Sequence, residues 1–289
     1  MDVQKYGRRF EGKVAVVTGA STDPGIGTAS ARRLATEGAS VVINARHEDR
    51  LRSTEKALQA EGLTVVAVAG SADDEAMPAR LVDAALSEFG RIDLLANTVG
   101  GAPFPSAPLT LDRAALLDTV ALNTWPALSL IQEAMRRGLA DGGGAVVNIS
   151  SGSPNKTTPV MIAYAAAKAA LNTMTRTLAN DLGRQGVRVN AVAPGLTRTV
   201  GTESMWLEDE GRAAGSNLLL GRMTEADDIA AAVAFLLSDD ARAVTGVIID
   251  VDSGNHVSSG GWSPFSPSAI GKPGGAPMDR VAPADRPGR

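Results

Sequence analysis

Short uninterrupted apolar runs alternate along the chain with longer stretches whose apolar positions recur every three to four residues. The runs predict strands at Lys13–Thr18, Ala39–Asn44, Thr64–Ala69, Asp93–Asn97, Ala145–Ser150, Val187–Val192 and Gly246–Val251. The periodic stretches predict helices over Gly27–Glu37, Arg50–Glu61, Asp74–Phe89, Leu111–Arg137, Pro159–Gly183 and Glu225–Ser238, with Pro126 inside the fourth. Strands apolar on both faces belong in a parallel sheet covered by helices on each side. Crossovers between parallel strands are right-handed, so the natural closure is a single-domain, doubly wound α/β fold with seven parallel strands.

Two segments break this rhythm. Leu196–Leu220 is a polar-rich excursion after the sixth strand, and a long insert at the carboxyl end of a strand is where a substrate lid is expected. Met205, Trp206 and Leu207 could cover a substrate there or pack on the lid itself, with Glu208, Asp209 and Glu210 facing water. The tail, residues 257–289, holds 6 of the 15 prolines and 6 of the 31 glycines, too little apolar surface to fold alone. It is expected to be disordered or draped over a neighbouring subunit, which leaves residues 1–256 as the domain. No internal repeat is present.

Composition narrows the chemistry. Hydrophobic residues make up 44% of the 289, enough for a core, but aromatics only 3%, so that core is built from Ala, Val, Leu and Ile. The net charge of −4 and the lack of a basic block argue against nucleic acid or an anionic membrane as partner. With no cysteine, disulfides, thiol catalysis and Cys-ligated zinc are excluded, and two histidines, His47 and His256, cannot make a His-rich metal site. Residues 1–10 lack an apolar stretch and no run of about 20 apolar residues stands out, so a cytoplasmic protein without a signal peptide or membrane span is expected.

The first strand runs into Thr18-Gly19-Ala20-Ser21-Thr22-Asp23-Pro24-Gly25-Ile26-Gly27 at the start of a helix. Glycines here permit a tight turn and let backbone approach a pyrophosphate at the helix N-terminus. An acidic residue after the second strand would bind a ribose 2′-hydroxyl and repel a 2′-phosphate. Ala45 holds that position and Arg46 follows, and a guanidinium suits phosphate, so NADP(H) is expected over NAD(H). The competing reading makes Arg46 a surface charge paired with Glu48 or Asp49.

Ser151, Tyr164 and Lys168 carry the catalytic signal. Tyr164 and Lys168 are four apart on a predicted helix and share a face. A free phenol titrates at about 10, so acting near neutral pH requires acidification by about 4 kcal/mol. A nearby ammonium and the positive ring of an oxidised nicotinamide both act in that direction. In the reducing direction Tyr164 would give a proton to the developing alkoxide, with Ser151 hydrogen-bonding the same oxygen. Singly, each residue has a plain structural explanation; the joint spacing at the predicted places favours catalysis.

From Phe10 to His256 the chain resembles the short-chain dehydrogenase/reductase family, a Rossmann-fold group of oxidoreductases. The family's glycine turn resembles Gly19, Gly25 and Gly27, with Asp23-Pro24 as two extra residues expected to bulge toward solvent. Its Asn-Asn-Ala-Gly corresponds to Asn97-Thr98-Val99-Gly100, and the acidic residue that often contacts adenine is replaced near Gly70-Ser71. Its Pro-Gly beside the nicotinamide resembles Pro194-Gly195, followed by Thr197 and Thr199, and Val251-Asp252-Ser253-Gly254 stands for Val-Asp-Gly-Gly. The resemblance implies a tetrad of Asn123, Ser151, Tyr164 and Lys168. In it Lys168 holds the nicotinamide ribose, and Asn123 holds a water leading from the lysine to solvent. It implies dinucleotide contacts at Gly19, Ser21, Gly25, Ile26, Gly27, Arg46, Ser71, Asn97, Gly100, Tyr164, Lys168, Pro194, Gly195, Thr197 and Thr199.

An NADPH-dependent carbonyl reductase acting on a small molecule, a ketoreductase, is the first expectation. An alcohol or sugar dehydrogenase running toward oxidation is the second, and a non-catalytic NADP(H)-binding protein the third. The arginines that receive an acidic carrier protein in some relatives correspond to Gly142 and Gln185, with Arg184 adjacent, so a carrier-bound substrate is allowed but not favoured. The family also implies a homotetramer through the Leu111 and Pro159 helices, where Ala165, Ala166, Ala169 and Ala170 permit close approach.

Overall fold

The computed structural model describes residues 7–103, 108–156, 160–206, 215–216 and 218–258. Seven strands form one parallel sheet: β1 (Val14–Val17), β2 (Ser40–Ala45), β3 (Val65–Ala69), β4 (Leu94–Asn97), β5 (Ala145–Ile149), β6 (Arg188–Pro194) and β9 (Ile248–Val251). Their order is β3-β2-β1-β4-β5-β6-β9, which reverses between β1 and β4. That switch point opens a crevice at the carboxyl ends of the strands, where ligands of such sheets bind. A small parallel pair, β7 (Thr197–Arg198) with β8 (Thr224–Glu225), lies in the excursion after β6. The rest of the predicted lid, residues 207–214 and 217, lies outside the described residues, as does the tail from residue 259 onward and the predicted helix start at Pro159.

Period-two alternation divides the core. Val41 and Ile43 point to one face, where α1 (Ile26–Thr36), α2 (Glu48–Ala60) and α6 (Ala226–Leu237) contribute Leu34, Leu51, Leu58, Ile229 and Val233. Val42 points to the other, where α3 (Met77–Phe89), α4 (Arg113–Arg136) and α5 (Ile162–Leu182) contribute Leu81, Val82, Leu130, Ile131 and Ala179. By length and composition α4 could cross a bilayer, but Leu130, Ile131 and Ala134 are buried in the core.

Element ends depart from expectation for local reasons. α2 begins at Glu48, two residues early, because Glu48 and Asp49 in its first turn complement the helix dipole. α4 begins at Arg113, where the Asp112 carboxylate caps the Ala115 N–H. β6 continues through Pro194, since Ala193 and Pro194 still pair with Asp250 and Val251.

Candidate active site

The glycine turn after β1 is shaped by close approach. Gly19 has φ +69°, and a Cβ there would lie 2.8 Å from Thr98 Oγ1. A Cβ on Gly27 would lie 2.4 Å from the Gly19 carbonyl oxygen, and one on Gly25 equally close to the Thr22 carbonyl oxygen. Gly25 opens α1 with no side-chain cap and no acidic residue in the first turn. The first N–H groups of α1 are left without side-chain competition, which suits a pyrophosphate. Buried Thr28 Oγ1 and Asn97 Oδ1 also lack partners among the described residues. The chain's own residues therefore fit a dinucleotide.

Asp23 and Pro24 are exposed, as expected for the insertion. The Asp23 carboxylate accepts from Arg32 Nη2 at 2.7 Å, so its charge is met by a guanidinium on α1. Ser21 lines a cavity of about 240 Å³ beside the turn, with Thr28, Arg32 and Arg50. Arg46 is exposed and donates to the His47 ring at 3.2 Å. Glu48 lies instead 3.8 Å from Arg52, and no ion pair to Arg46 is present among the described residues. Ser71 is exposed after β3, next to Gly70, whose carbonyl accepts from Asn44 Nδ2.

A buried polar ladder stiffens the centre of the sheet. Asn97 donates to Asn148 Oδ1 at 2.9 Å, Asn148 to Thr175 Oγ1 at 2.9 Å, and Thr175 to the Leu171 carbonyl. Immediately beyond β5 lies Ser151. Its hydroxyl accepts the Ser153 N–H at 3.1 Å, lies 3.0 Å from Ser153 Oγ, and is hydrogen-bonded to the Tyr164 phenol. Ser153 was not expected; a second serine two positions on was its only sequence signal.

Lys168, one turn along α5 from Tyr164, is 2% exposed. Its Nζ donates to the Ile149 carbonyl at 2.8 Å and sits 5.7 Å from the centroid of the Tyr164 ring. Burial pushes its pKa down to about 7. Burial also pushes the Tyr164 phenol up, with the Ser151 hydrogen bond pulling partly back. In the dinucleotide-free protein loss of solvent is the larger influence on the phenol, opposite in direction to the acidification expected with a positive nicotinamide ring bound.

Asn123, the fourth residue of the implied tetrad, is hydrogen-bonded to backbone. Its Oδ1 accepts the Gly101 N–H at 3.0 Å, and its Nδ2 donates to the Gly101 and Thr119 carbonyls, each at 2.8 Å. The side chain thus clamps backbone. Asn123 Oδ1 and Lys168 Nζ converge on Gly100, where a Cβ would lie 2.6 and 2.7 Å from them. Gly100→Ala is therefore expected to lower kcat/KM by about tenfold or more, since buried groups at such distances must move. Steady-state kinetics beside an unchanged far-UV spectrum checks it.

Across the crevice, a Cβ on Gly195 would lie 2.6 Å from Asp252 Cβ, so the Pro-Gly turn and the Val251–Gly254 motif require one another. Thr197 Oγ1 bonds the Gly195 carbonyl and Thr224 Oγ1, while Thr199 and Thr202 form a reciprocal capping box on the 3-10 turn Val200–Met205. Trp206 packs on this segment: its Nε1 donates to the Thr199 carbonyl and Arg198 lies over its ring. A separate cavity of about 410 Å³, lined by Lys13, Leu94, Ala145 and Arg188, opens at the amino ends of the strands, away from Tyr164.

The family model described as enoyl-(acyl carrier protein) reductase matches residues 19–256. An L-rhamnose 1-dehydrogenase (NAD(P)(+)) of Azotobacter vinelandii is 38% identical over 85% of this chain and 97% of that protein. Dehydrogenase/reductase SDR family member 4 of Caenorhabditis elegans is 37% identical over 86% of this chain and 96% of that protein. A 7α-hydroxysteroid dehydrogenase solved with NADH and 7-oxo glycochenodeoxycholic acid superposes with a TM-score of 0.79 at 32% identity, covering 85% of this chain and 95% of that one. With its parallel seven-stranded sheet and its glycine turn, the chain belongs to the short-chain dehydrogenase/reductase family, oxidoreductases that act on alcohol and carbonyl groups with NAD(P)(H).

Proposed function

We propose that the protein is an NADPH-dependent reductase of a small-molecule ketone. The observation that carries this reading is the Tyr164 phenol, hydrogen-bonded to Ser151, with the Lys168 ammonium behind it at the carboxyl ends of the strands. A bound dinucleotide supplies the hydride. It would be held by the backbone of Gly19, Gly25, Ile26 and Gly27, by Ser21, Arg46, Ser71, Asn97 and Gly100, and by Pro194, Gly195, Thr197 and Thr199. Ser151 orients the substrate oxygen by hydrogen bonding, and Tyr164 releases its proton to that oxygen as charge develops there. Lys168 contributes positive charge behind the phenol and a ribose contact, and Asn123 fixes the Gly100-Gly101 backbone against which the lysine packs.

Relatives named as dehydrogenases favour oxidation of a secondary alcohol or sugar as the second reading. A spectrophotometric screen at about 340 nm with NADPH and varied carbonyls, then with NADP and the corresponding alcohols, decides between them. Absence of turnover in both directions sinks both.

The preference for NADP(H) rests on Ala45 at the acidic position and on Arg46, exposed and without a carboxylate partner among the described residues. Arg46→Ala is expected to raise KM for NADPH about tenfold, the scale of one charge-assisted contact, and to leave that for NADH nearly unchanged. A wild-type preference for NADH would overturn the assignment.

A homotetramer fits the exposed faces of α4 and α5, which carry Leu117, Trp125, Ile162, Ala166 and Ala169. Monomers in analytical ultracentrifugation at assay concentration would contradict it.

A further inference from the structure

The two residues by which the glycine turn exceeds the family pattern hold two walls of the crevice together. One wall is the turn itself. The other is the segment from Pro194 to Trp206, which carries Gly195, Thr197 and Thr199. The 3-10 turn Val200–Met205 is capped by Thr199, so the Val200 N–H, at its first position, has no partner within the turn. The Thr199–Thr202 capping box serves other groups. The Val200 N–H is satisfied from outside: it donates to the Pro24 carbonyl at 3.0 Å. The acceptor therefore belongs to the insertion.

The insertion is itself anchored. Asp23 pairs with Arg32 at 2.7 Å, and Arg32, largely buried on α1, also bonds both carboxylate oxygens of Glu61 at 3.0 and 3.2 Å. Glu61 is the C-terminal cap of α2. A continuous polar path thus runs from the end of α2 through α1 and the insertion to the start of the 3-10 turn. On the far side the segment is braced by β7 pairing with β8, by Thr202 Oγ1 donating to the Thr197 carbonyl at 2.6 Å, and by Trp206 on Thr199.

We propose that Asp23 and Pro24 are positioning residues: they tether the Val200–Trp206 segment to the phosphate-binding turn before the dinucleotide arrives, fixing the width of the crevice and slowing dinucleotide release. The proposal rests on the dinucleotide reading above. A wall already in place spares the ordering cost of closing it on binding, and such preorganisation shows mainly in the dissociation rate.

The test uses the full-length enzyme and two variants, deletion of Asp23 with Pro24 and Asp23→Ala, the second keeping chain length should the first fold poorly. Amide hydrogen exchange in the dinucleotide-free protein reads the tether directly. Val200 should be protected in the wild type and lose about tenfold of that protection in the deletion, the worth of one backbone hydrogen bond. Stopped-flow displacement of bound NADPH and NADH reads the consequence. Release should quicken about tenfold in the deletion and a few-fold in Asp23→Ala, with kcat changed less than Kd. Fast exchange at Val200 in the wild type, or normal binding with unchanged release in both variants, overturns the tether while leaving the dinucleotide reading intact. Failure of the wild type to bind either dinucleotide sinks that reading and the proposal with it.

Discussion

Tyr164→Phe is expected to lower turnover by about 10² to 10⁴-fold, the range that a positioned general acid supplies. Dinucleotide affinity and the thermal midpoint should change little. The ring is kept, so the packing against Lys168, 5.7 Å from its centroid, survives. Ser151 loses one hydrogen bond but remains held by Ser153 through both its N–H and its hydroxyl. Only the hydroxyl, with the proton it carries, is removed. Because burial raises the phenol above its ordinary value, free enzyme carries that proton throughout the neutral range. Reduction therefore starts with its acid loaded, whereas oxidation needs the phenolate and should speed up as pH rises. Initial rates in both directions, with binding followed by fluorescence, check this; wild-type turnover in the Phe variant would remove Tyr164 from the chemistry.

Much of this arrangement was legible in the sequence because a parallel, doubly wound sheet of seven strands follows from the alternation of apolar runs and helical periods, although its strand order does not. The glycine turn announced itself by residues that tolerate close approach, and Gly27 proves to lie against the Gly19 carbonyl. Tyr164 and Lys168 could be placed on one face because four residues is about one helical turn. What spacing could not supply was solvent. It names the lysine beside the phenol but not that its ammonium is buried and turned to the Ile149 carbonyl, and that burial is what lowers its pKa. Nor could it choose the Gly101 and Thr119 backbone as partners of the Asn123 amide, or show that Thr98 fills the space left by Gly19 and Gly27. The Asp23–Arg32 pair was equally hidden, since it joins an irregular loop to a helix face.

Lys168→Met separates the cost of the site from its use. Loss of the charge beside the phenol should reduce kcat by about 10² to 10³-fold, as removal of one oriented electrostatic group does. The same substitution should stabilise the dinucleotide-free fold. The ammonium is 2% exposed and has no carboxylate partner among the described residues, and an apolar side chain of similar length avoids the desolvation. The pH dependence carries the diagnosis. With a folded pKa of about 7 against an ordinary 10.5, the folded protein sheds a proton that the unfolded chain retains, so wild-type stability rises with pH across that window. Below it both states are charged and the whole penalty persists, at most about 5 kcal/mol by the usual conversion. The Met variant lacks this dependence. Its melting temperature should exceed that of wild type most in mild acid, with the gap closing toward alkaline pH, less about 1 kcal/mol for the Ile149 carbonyl left without its donor. Melting curves of both proteins across that range decide it. A variant that melts lower than wild type in mild acid would mean that the ammonium is compensated in the fold, and that its charge persists well above neutrality behind Tyr164.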